Sequence, residues 1–352
     1  MPIIRSAKLH PYNKKQNLRK RALSAADKTA AGSFFFLQRS VINLSLSHIL
    51  EVEEDRTMRT VEKIWEMIGQ SGKNVEEIRV RAGRPVLIRR EGKEEQMEFE
   101  ADSAMIRELL AMISHHSLYA FEDEMRQGFL TITGGHRIGI AGKAVIEKKE
   151  IRSIKEISAL NIRISHSCPG CADRIISGLY KQGELLNTLF VSPPGAGKTT
   201  MLREVIRLVS DGNTFGKGAT VSVVDERSEL ASCCRGVPQI DLGMRTDVMD
   251  GCPKALGMLM MIRSMSPDVV AVDEIGTMED LEALRDVMRC GCRILATVHG
   301  SGVEDLKKKR ILRDMVEERM FERYVVLKKS PLPGTVEGIY DGGMEKLKGD
   351  WA

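Results

Sequence analysis

The sequence has no run of 18 apolar residues, so no helix of membrane-spanning length is expected. Aromatic residues are scarce, at 5%, and leave little for stacking nucleic-acid bases. Neither charge dominates: the net is +4, and the first 40 residues alone hold +8, nine Lys or Arg against Asp27. The remaining 312 residues therefore sum to −4, which argues against a general basic surface for nucleic acid. Cysteines are few and odd in number, seven, with no clear secretory signal, which favours free thiols in a reducing compartment over a disulfide framework. A zinc corner of His166, Cys168 and Cys171 is conceivable, but no second C-x-x-C or His pair stands at finger spacing, and plain thiols are the expectation. The nearest approach to an anchor, Ser33 to Leu50, is interrupted by Arg39, Asn43 and His48. Residues 1–56 read as a basic, disordered extension, with an over-long start before an initiating Met58 as the alternative.

What is present is a globular composition, 42% hydrophobic and 29% charged, in a chain long enough for two domains. From Thr57 to Gly69, Val61, Ile64, Trp65 and Ile68 recur at helical spacing. Strands are expected at Val75 to Arg81 and Val86 to Arg90, a helix at Ser103 to Ser114, and a hairpin over Gly128 to Val145 turning at Gly134-Gly135. Residues 57–165 thus read as a smaller α+β domain. Beyond Pro169-Gly170 the pattern becomes strand, loop, helix, repeated, with apolar runs at Thr188 to Val191, Thr220 to Val224, Val269 to Val272 and Arg293 to Val298. That predicts an α/β domain over 166–352, a parallel sheet with helices on both faces.

Residues 192–199, SPPGAGKT, match the phosphate-loop pattern G-x-x-x-x-G-K-[ST] except at Ser192. An apolar strand precedes them, and Met201, Leu202, Val205, Ile206 and Val209 mark one face of a helix that follows. Strand, glycine loop and helix are what phosphate binding needs: Gly195 and Gly197 let the backbone curl its N–H groups inward, and the helix start adds partial positive charge. Pro193, Pro194, Gly195, Ala196, Gly197, Lys198, Thr199 and Thr200 are the candidate nucleotide-binding residues, with Lys198 on the β- and γ-phosphates of ATP and Thr199 on Mg²⁺. The run Val269 to Val272 ends in Asp273 and Glu274, the acids a hydrolytic phosphate loop requires: Asp273 toward the metal through water, Glu274 to polarise the attacking water. Two other strand ends, Asp225-Glu226-Arg227 and His299-Gly300, are placed to converge on the same ligand, with structural capping the alternative for each. Met258, Met260, Met261 and Met265 read as core packing or an adaptable subunit contact.

Six ordered stretches carry a resemblance: EIRVRAGRP (77–85), GGHRIGIAG (134–142), PPGAGKTT (193–200), VDERSEL (224–230), the long run 243–276 ending in VAVDEIG, and ATVHG (296–300). Over about residues 57 to 345 the chain resembles the stage III sporulation protein AA family, within the type II and type IV secretion and pilus ATPase superfamily. The resemblance implies a P-loop NTPase fold of the RecA/ASCE type and ATP hydrolysis with Mg²⁺. It also implies a homo-oligomeric ring, with a hexamer as the candidate form, energising the membrane proteins of a sporulation secretion channel from the mother-cell cytoplasm. It makes Glu226 a rival to Glu274 as the base, gives His299 a place in a histidine box, and marks Arg137, Arg152 and Arg163 as candidates to reach a nucleotide in trans. Thr277 stands where the superfamily has arginine. Two alternatives remain beside the motor: a translocase stimulated by nucleic acid, and a nucleotide-gated scaffold with little turnover.

Overall fold

The computed structural model describes residues 58–68, 75–114, 121–308, 310–330, 334–349 and 351; the expected extension, 1–56, lies outside them. Residues 63–352 group into one compact unit. Helix α1 spans 58–68; of the four residues that the helical spacing singled out, Val61, Ile64 and Ile68 are buried and Trp65 is half-buried.

The first sheet is built from β1 (Val75–Arg81), β2 (Arg84–Arg90), β3 (Lys93–Ala101), β4 (Phe129–Thr131), β5 (Arg137–Glu147) and β6 (Glu150–Arg163). Its order is β3-β2-β1-β6-β5-β4, and every neighbouring pair is antiparallel. Helix α2 (Ser103–Ile113) starts at Asp102, whose carboxylate accepts the Met105 N–H at 2.7 Å, and buries Met105, Ile106, Leu109, Leu110 and Ile113 at helical spacing. A short helix α3 (Glu122–Arg126) precedes β4. Strands β3 and β6 are additions to the expected pattern. Both are exposed over much of their length: EIRSIKEISALNIR spaces its apolar residues irregularly, and the alternation in KEEQMEFEA is confined to Met97, Phe99 and Ala101 at its end.

After a small pair, β7 (Tyr180–Lys181) and β8 (Glu184–Leu185), the second sheet takes β9 (Thr188–Ser192), β10 (Val221–Asp225), β11 (Thr246–Asp250), β12 (Val269–Val272), β13 (Arg293–His299), β14 (Arg323–Leu327) and β15 (Val336–Asp341). The order is β11-β10-β12-β13-β9-β14-β15, parallel throughout except for the β14–β15 pair. Alternation along each strand feeds two cores. Val269 and Ala271 of β12 join one with Met201, Leu202, Val205 and Ile206 of α4 (Lys198–Asp211). Val270 and Val272 join the other with Met258 and Met261 of α5 (Lys254–Met265) and Leu281, Leu284 and Val287 of α6 (Met278–Arg289). Burial on both faces explains why these strands read as continuous apolar runs. Each such fully buried side chain contributes about 1.5–3 kcal/mol. Two short helices, α7 (Val303–Lys308) and α8 (Arg310–Glu317), lead into β14. Of the methionines on α5, Met258 and Met261 are core, while Met260 and Met265 are exposed. Among the described residues, no helix is long and apolar enough to cross a membrane.

Candidate nucleotide site

Strand β9 ends at Ser192, which is fully buried and has no positive φ, so a side chain is accommodated where the usual pattern has glycine. The two glycines that follow are the ones the backbone requires: Gly195 has φ 75° and Gly197 φ 91°, in the left-handed region. Gly197 is the residue before α4, and no side chain caps that helix start; its first turn holds no acid either. The amino end of a 14-residue helix is thus left with free donors and the positive end of its dipole facing the loop.

Lys198 is only 7% exposed, and its ammonium is held by the acids from β12, at 2.7 Å from Glu274 Oε1 and 3.4 Å from Asp273 Oδ1. The Thr199 hydroxyl donates to Asp273 Oδ2 at 2.7 Å. Lys198, Thr199, Asp273 and Glu274, expected together from their order along the chain, therefore meet directly. Sheet order explains it, since β13 alone separates β12 from β9. His299, at the end of β13, places Nε2 at 2.9 Å from Glu274 Oε1, and Arg227 approaches Glu274 Oε2 at 3.0 Å. Burial pushes the Glu274 carboxyl up, but the Lys198 ammonium, with His299 and Arg227, more than offsets this and holds it below the usual glutamate value.

Thr297 is a member of the site that sequence reasoning missed. Fully buried on β13, its hydroxyl donates to Asp273 and accepts the Glu274 N–H at 2.9 Å, while its carbonyl accepts the Ile275 N–H at 2.9 Å. Glu274 needs that support: its φ of 56° lies in the left-handed region, a conformation that costs a non-glycine residue on the order of 1–3 kcal/mol. The spacing of Thr297 from His299 was the available signal, because residues two apart on a strand share a face. Thr277, where arginine was expected, caps α6: its hydroxyl accepts the Asp280 N–H at 3.1 Å and the Asp280 carboxylate accepts the Thr277 N–H at 3.0 Å.

The end of β10 is arranged differently. Asp225 is 2% exposed and accepts three backbone N–H groups, from Glu229, Leu230 and Ala231, each at 2.8 Å. Burial pushes its carboxyl up, and those donors only partly offset the rise. Glu226 points elsewhere, into an ion pair with Lys254 of α5. Arg203 of α4 holds the same loop from outside through the Leu230 carbonyl, at 2.9 Å, and the Glu229 carbonyl.

Of the three candidate arginines, Arg137 lies against this loop in its own chain, at 3.1 Å from Glu229 and with its guanidinium 3.7 Å over the Phe129 ring. Arg163 sits beside it in register on β6. Arg152 belongs to the far end of the same hairpin, exposed and paired with Glu147, on the order of 30 Å along the strand from Arg163. Among the described residues no cluster of three metal-ligating side chains is found, and all seven cysteines are free.

Solved structures share this fold, two ATPases among them. The Legionella pneumophila ATPase DotB aligns over 78% of this chain and 75% of its own, at TM-score 0.51 and 16% identity. The pilus retraction motor PilT, solved with bound ADP, aligns over 76% and 77%, at TM-score 0.53 and 14% identity. The fold is thus that of the P-loop secretion and pilus ATPases. Sequence narrows the class: the family described as "Sporulation stage III, protein AA" matches residues 53–347, and the chain belongs to it. The Stage III sporulation protein AA of Bacillus subtilis (strain 168) is 40% identical over 296 residues, covering 84% of this chain and 95% of that one.

Proposed function

We propose that this chain is the ATP-hydrolysing motor subunit of a secretion-type assembly of endospore formation. The observation that carries the reading is the uncapped start of α4, with Lys198 beside it and the two acids of β12 within 3.4 Å of that lysine. Helix donors and the loop from Pro193 to Gly197 cradle the phosphates, Lys198 takes the β- and γ-phosphates, and Thr200 completes the first turn. Thr199 and Asp273 present hard oxygen donors side by side, which fits Mg²⁺; these two residues would hold the ion, which would supply charge neutralisation at the phosphates.

In the ligand-free arrangement Lys198 is engaged by Glu274. Phosphate competes for that ammonium, and Glu274, once released, loses a partner that lowers its pKa and becomes the better proton acceptor for an attacking water. Glu274 is accordingly the base in this reading, with His299 reporting on the γ-phosphate. Glu226, engaged by Lys254, takes a supporting role. Residues 57–165 and 166–352 act as two domains whose relative motion follows the nucleotide state. Copies of the chain form a ring, with Arg137 or Arg163 available to a neighbour's nucleotide, held at the membrane on the mother-cell side by partner proteins. One observation favours a second reading, a nucleotide-gated scaffold: Glu274 has three basic partners to leave before it can act.

Steady-state ATP hydrolysis by the wild type beside Lys198→Ala, Glu274→Gln and Glu226→Gln tests the proposal. Hydrolysis lost in the first two variants supports the motor. Wild-type binding of ATP with turnover no faster than that of Lys198→Ala favours the scaffold, and absence of ATP binding ends both.

A further inference from the structure

Cys168 and Cys171 are joined by a turn suited to a bond between them. Pro169 and Gly170 stand between the two, Gly170 with φ 80°, and the Cys171 N–H donates to the Cys168 carbonyl at 3.2 Å. Pro second and a positive-φ Gly third, closed by that hydrogen bond, describe a type II turn. Its outer Cα atoms lie within about 7 Å of each other, against about 4.4–6.8 Å across a disulfide. The two thiols differ in setting: Cys168 is exposed, whereas Cys171 is partly buried, its Sγ 4.0 Å from the Thr200 carbonyl. Burial, together with the neighbouring Cys168, pushes the Cys171 thiol up to about 12. An accessible attacking thiol beside a protonated, sheltered one is the asymmetry that thiol–disulfide exchange uses.

The turn also touches α4. The Gly170 N–H donates to Glu204 Oε1 at 2.7 Å, and Glu204, 6% exposed, is further held by Arg207. Cys168, Thr200, Arg203 and Glu204 line a cavity of about 580 Å³, room for a small reagent to reach Cys168. The other cysteines lack this arrangement: Cys233 and Cys234 are adjacent, and Cys292, separated from Cys290 by Gly291 alone, points its thiol at the Pro267 carbonyl.

We propose that Cys168 and Cys171 are a redox site, closing a reversible intrachain disulfide by exchange with a low-molecular-weight disulfide and signalling its state to α4. The Cys168 thiolate attacks one sulfur of the small disulfide; the mixed disulfide forms and one small thiolate leaves, taking up the proton that Cys168 released. Cys171 then gives its proton to solvent, and its sulfur attacks the Cys168 Sγ. The second small thiolate leaves and is protonated in turn. Two protein thiols are oxidised by two electrons, and one small disulfide is reduced to two thiols. Closure draws Cys171 Sγ away from Thr200, in the first turn of α4. None of this depends on ATP hydrolysis.

The test incubates the purified full-length chain with graded ratios of oxidised to reduced glutathione, alkylates the remaining thiols and digests with trypsin. Both cysteines fall in one peptide, Ile164 to Arg174, so the bond shows as a loss of two hydrogens and of both alkylation sites on that peptide. The expected result is that loss, reversed by dithiothreitol, with the other five cysteines alkylated and with amide exchange over Lys198 to Leu202 shifted. Cys168→Ser, at an exposed position, is expected to leave Cys171 alkylated. Full alkylation of the peptide at every ratio, or a glutathione adduct on Cys168 that Cys171 never displaces, overturns the redox site. A disulfide that leaves amide exchange in α4 unchanged overturns its coupling to the helix.

Discussion

Two neighbouring parallel strands end in nearly the same letters, Val-Val-Asp-Glu at β10 and Ala-Val-Asp-Glu at β12, yet the fold gives the two acidic pairs different work. At β12 both acids meet Lys198. At β10 the aspartate is buried as an anchor for its own loop, and the glutamate turns to a lysine on α5. Strand order accounts for the difference: β12 is two strand steps from β9 and β10 is three, about 10 Å against about 14 Å. Lys198, at the start of the helix that follows the loop after β9, reaches the nearer strand end. Chemical likeness at a strand end thus says which groups are available, and neighbourhood says which are used.

The sharpest way to break this contrast is by charge removal at the two glutamates. Glu274→Gln is expected to lower ATP hydrolysis by about 10²–10⁴-fold while ATP still binds, as loss of a general base does, whereas Glu226→Gln stays within about tenfold of wild type. Comparable losses in both would erase the distinction. Next in size is Thr297→Val, which leaves the Glu274 N–H without its acceptor; steady-state kinetics should show a fall of about 10- to 100-fold from misplacement of the carboxylate. In stability the order of the strand ends reverses. Asp225→Ala strands three backbone donors and is expected to cost about 3 kcal/mol in urea unfolding, more than Asp273→Ala, since Lys198 then still has Glu274.

The pH dependence separates the two ends by sign. Glu274 has a folded pKa below its reference of 4.5, so its contribution in the ligand-free protein is fully present above about that pH. It is lost as pH falls through the folded value. Asp225 is shifted upward from 3.8, so the folded state holds its proton longer, and stability falls as pH rises through that window. Carboxyl titration by NMR should find the Glu274 value raised in Lys198→Ala and the Asp225 value little changed. The smallest effect is expected in the first sheet. Arg137→Ala loses the Glu229 pair and the Phe129 contact, about 0.5–1 kcal/mol, and Arg152→Ala, at an exposed hairpin end, alters unfolding by less than about 0.5 kcal/mol.

Much of the second sheet was legible in the chain because its strands are buried on both faces and so carry unbroken apolar runs. Strands β3 and β6 were not, since an exposed strand carries no such mark. The site divides the same way. Lys198, Thr199, Asp273 and Glu274 announce themselves by motif, but Thr297 is a lone hydroxyl whose meaning depends on the strand beside it. Arg227 read as part of a polar strand end, and only its 3.0 Å approach to Glu274 shows which acid it serves.

By itself the sequence determined where the glycine-rich loop after β9 is, that a helix follows it, and which strand ends carry acids. These are local properties, set by glycine freedom, helical spacing and the identity of a few consecutive residues. Tertiary structure alone decided that Glu274 rather than Glu226 faces Lys198, that Thr297 supports a left-handed glutamate, and that Arg137 and Arg163 lie together while Arg152 does not. Each of those rests on sheet order and register, which bring together residues from 23 to 76 positions apart. No local pattern in the chain encodes that adjacency, because it follows from how all the strands share their two cores.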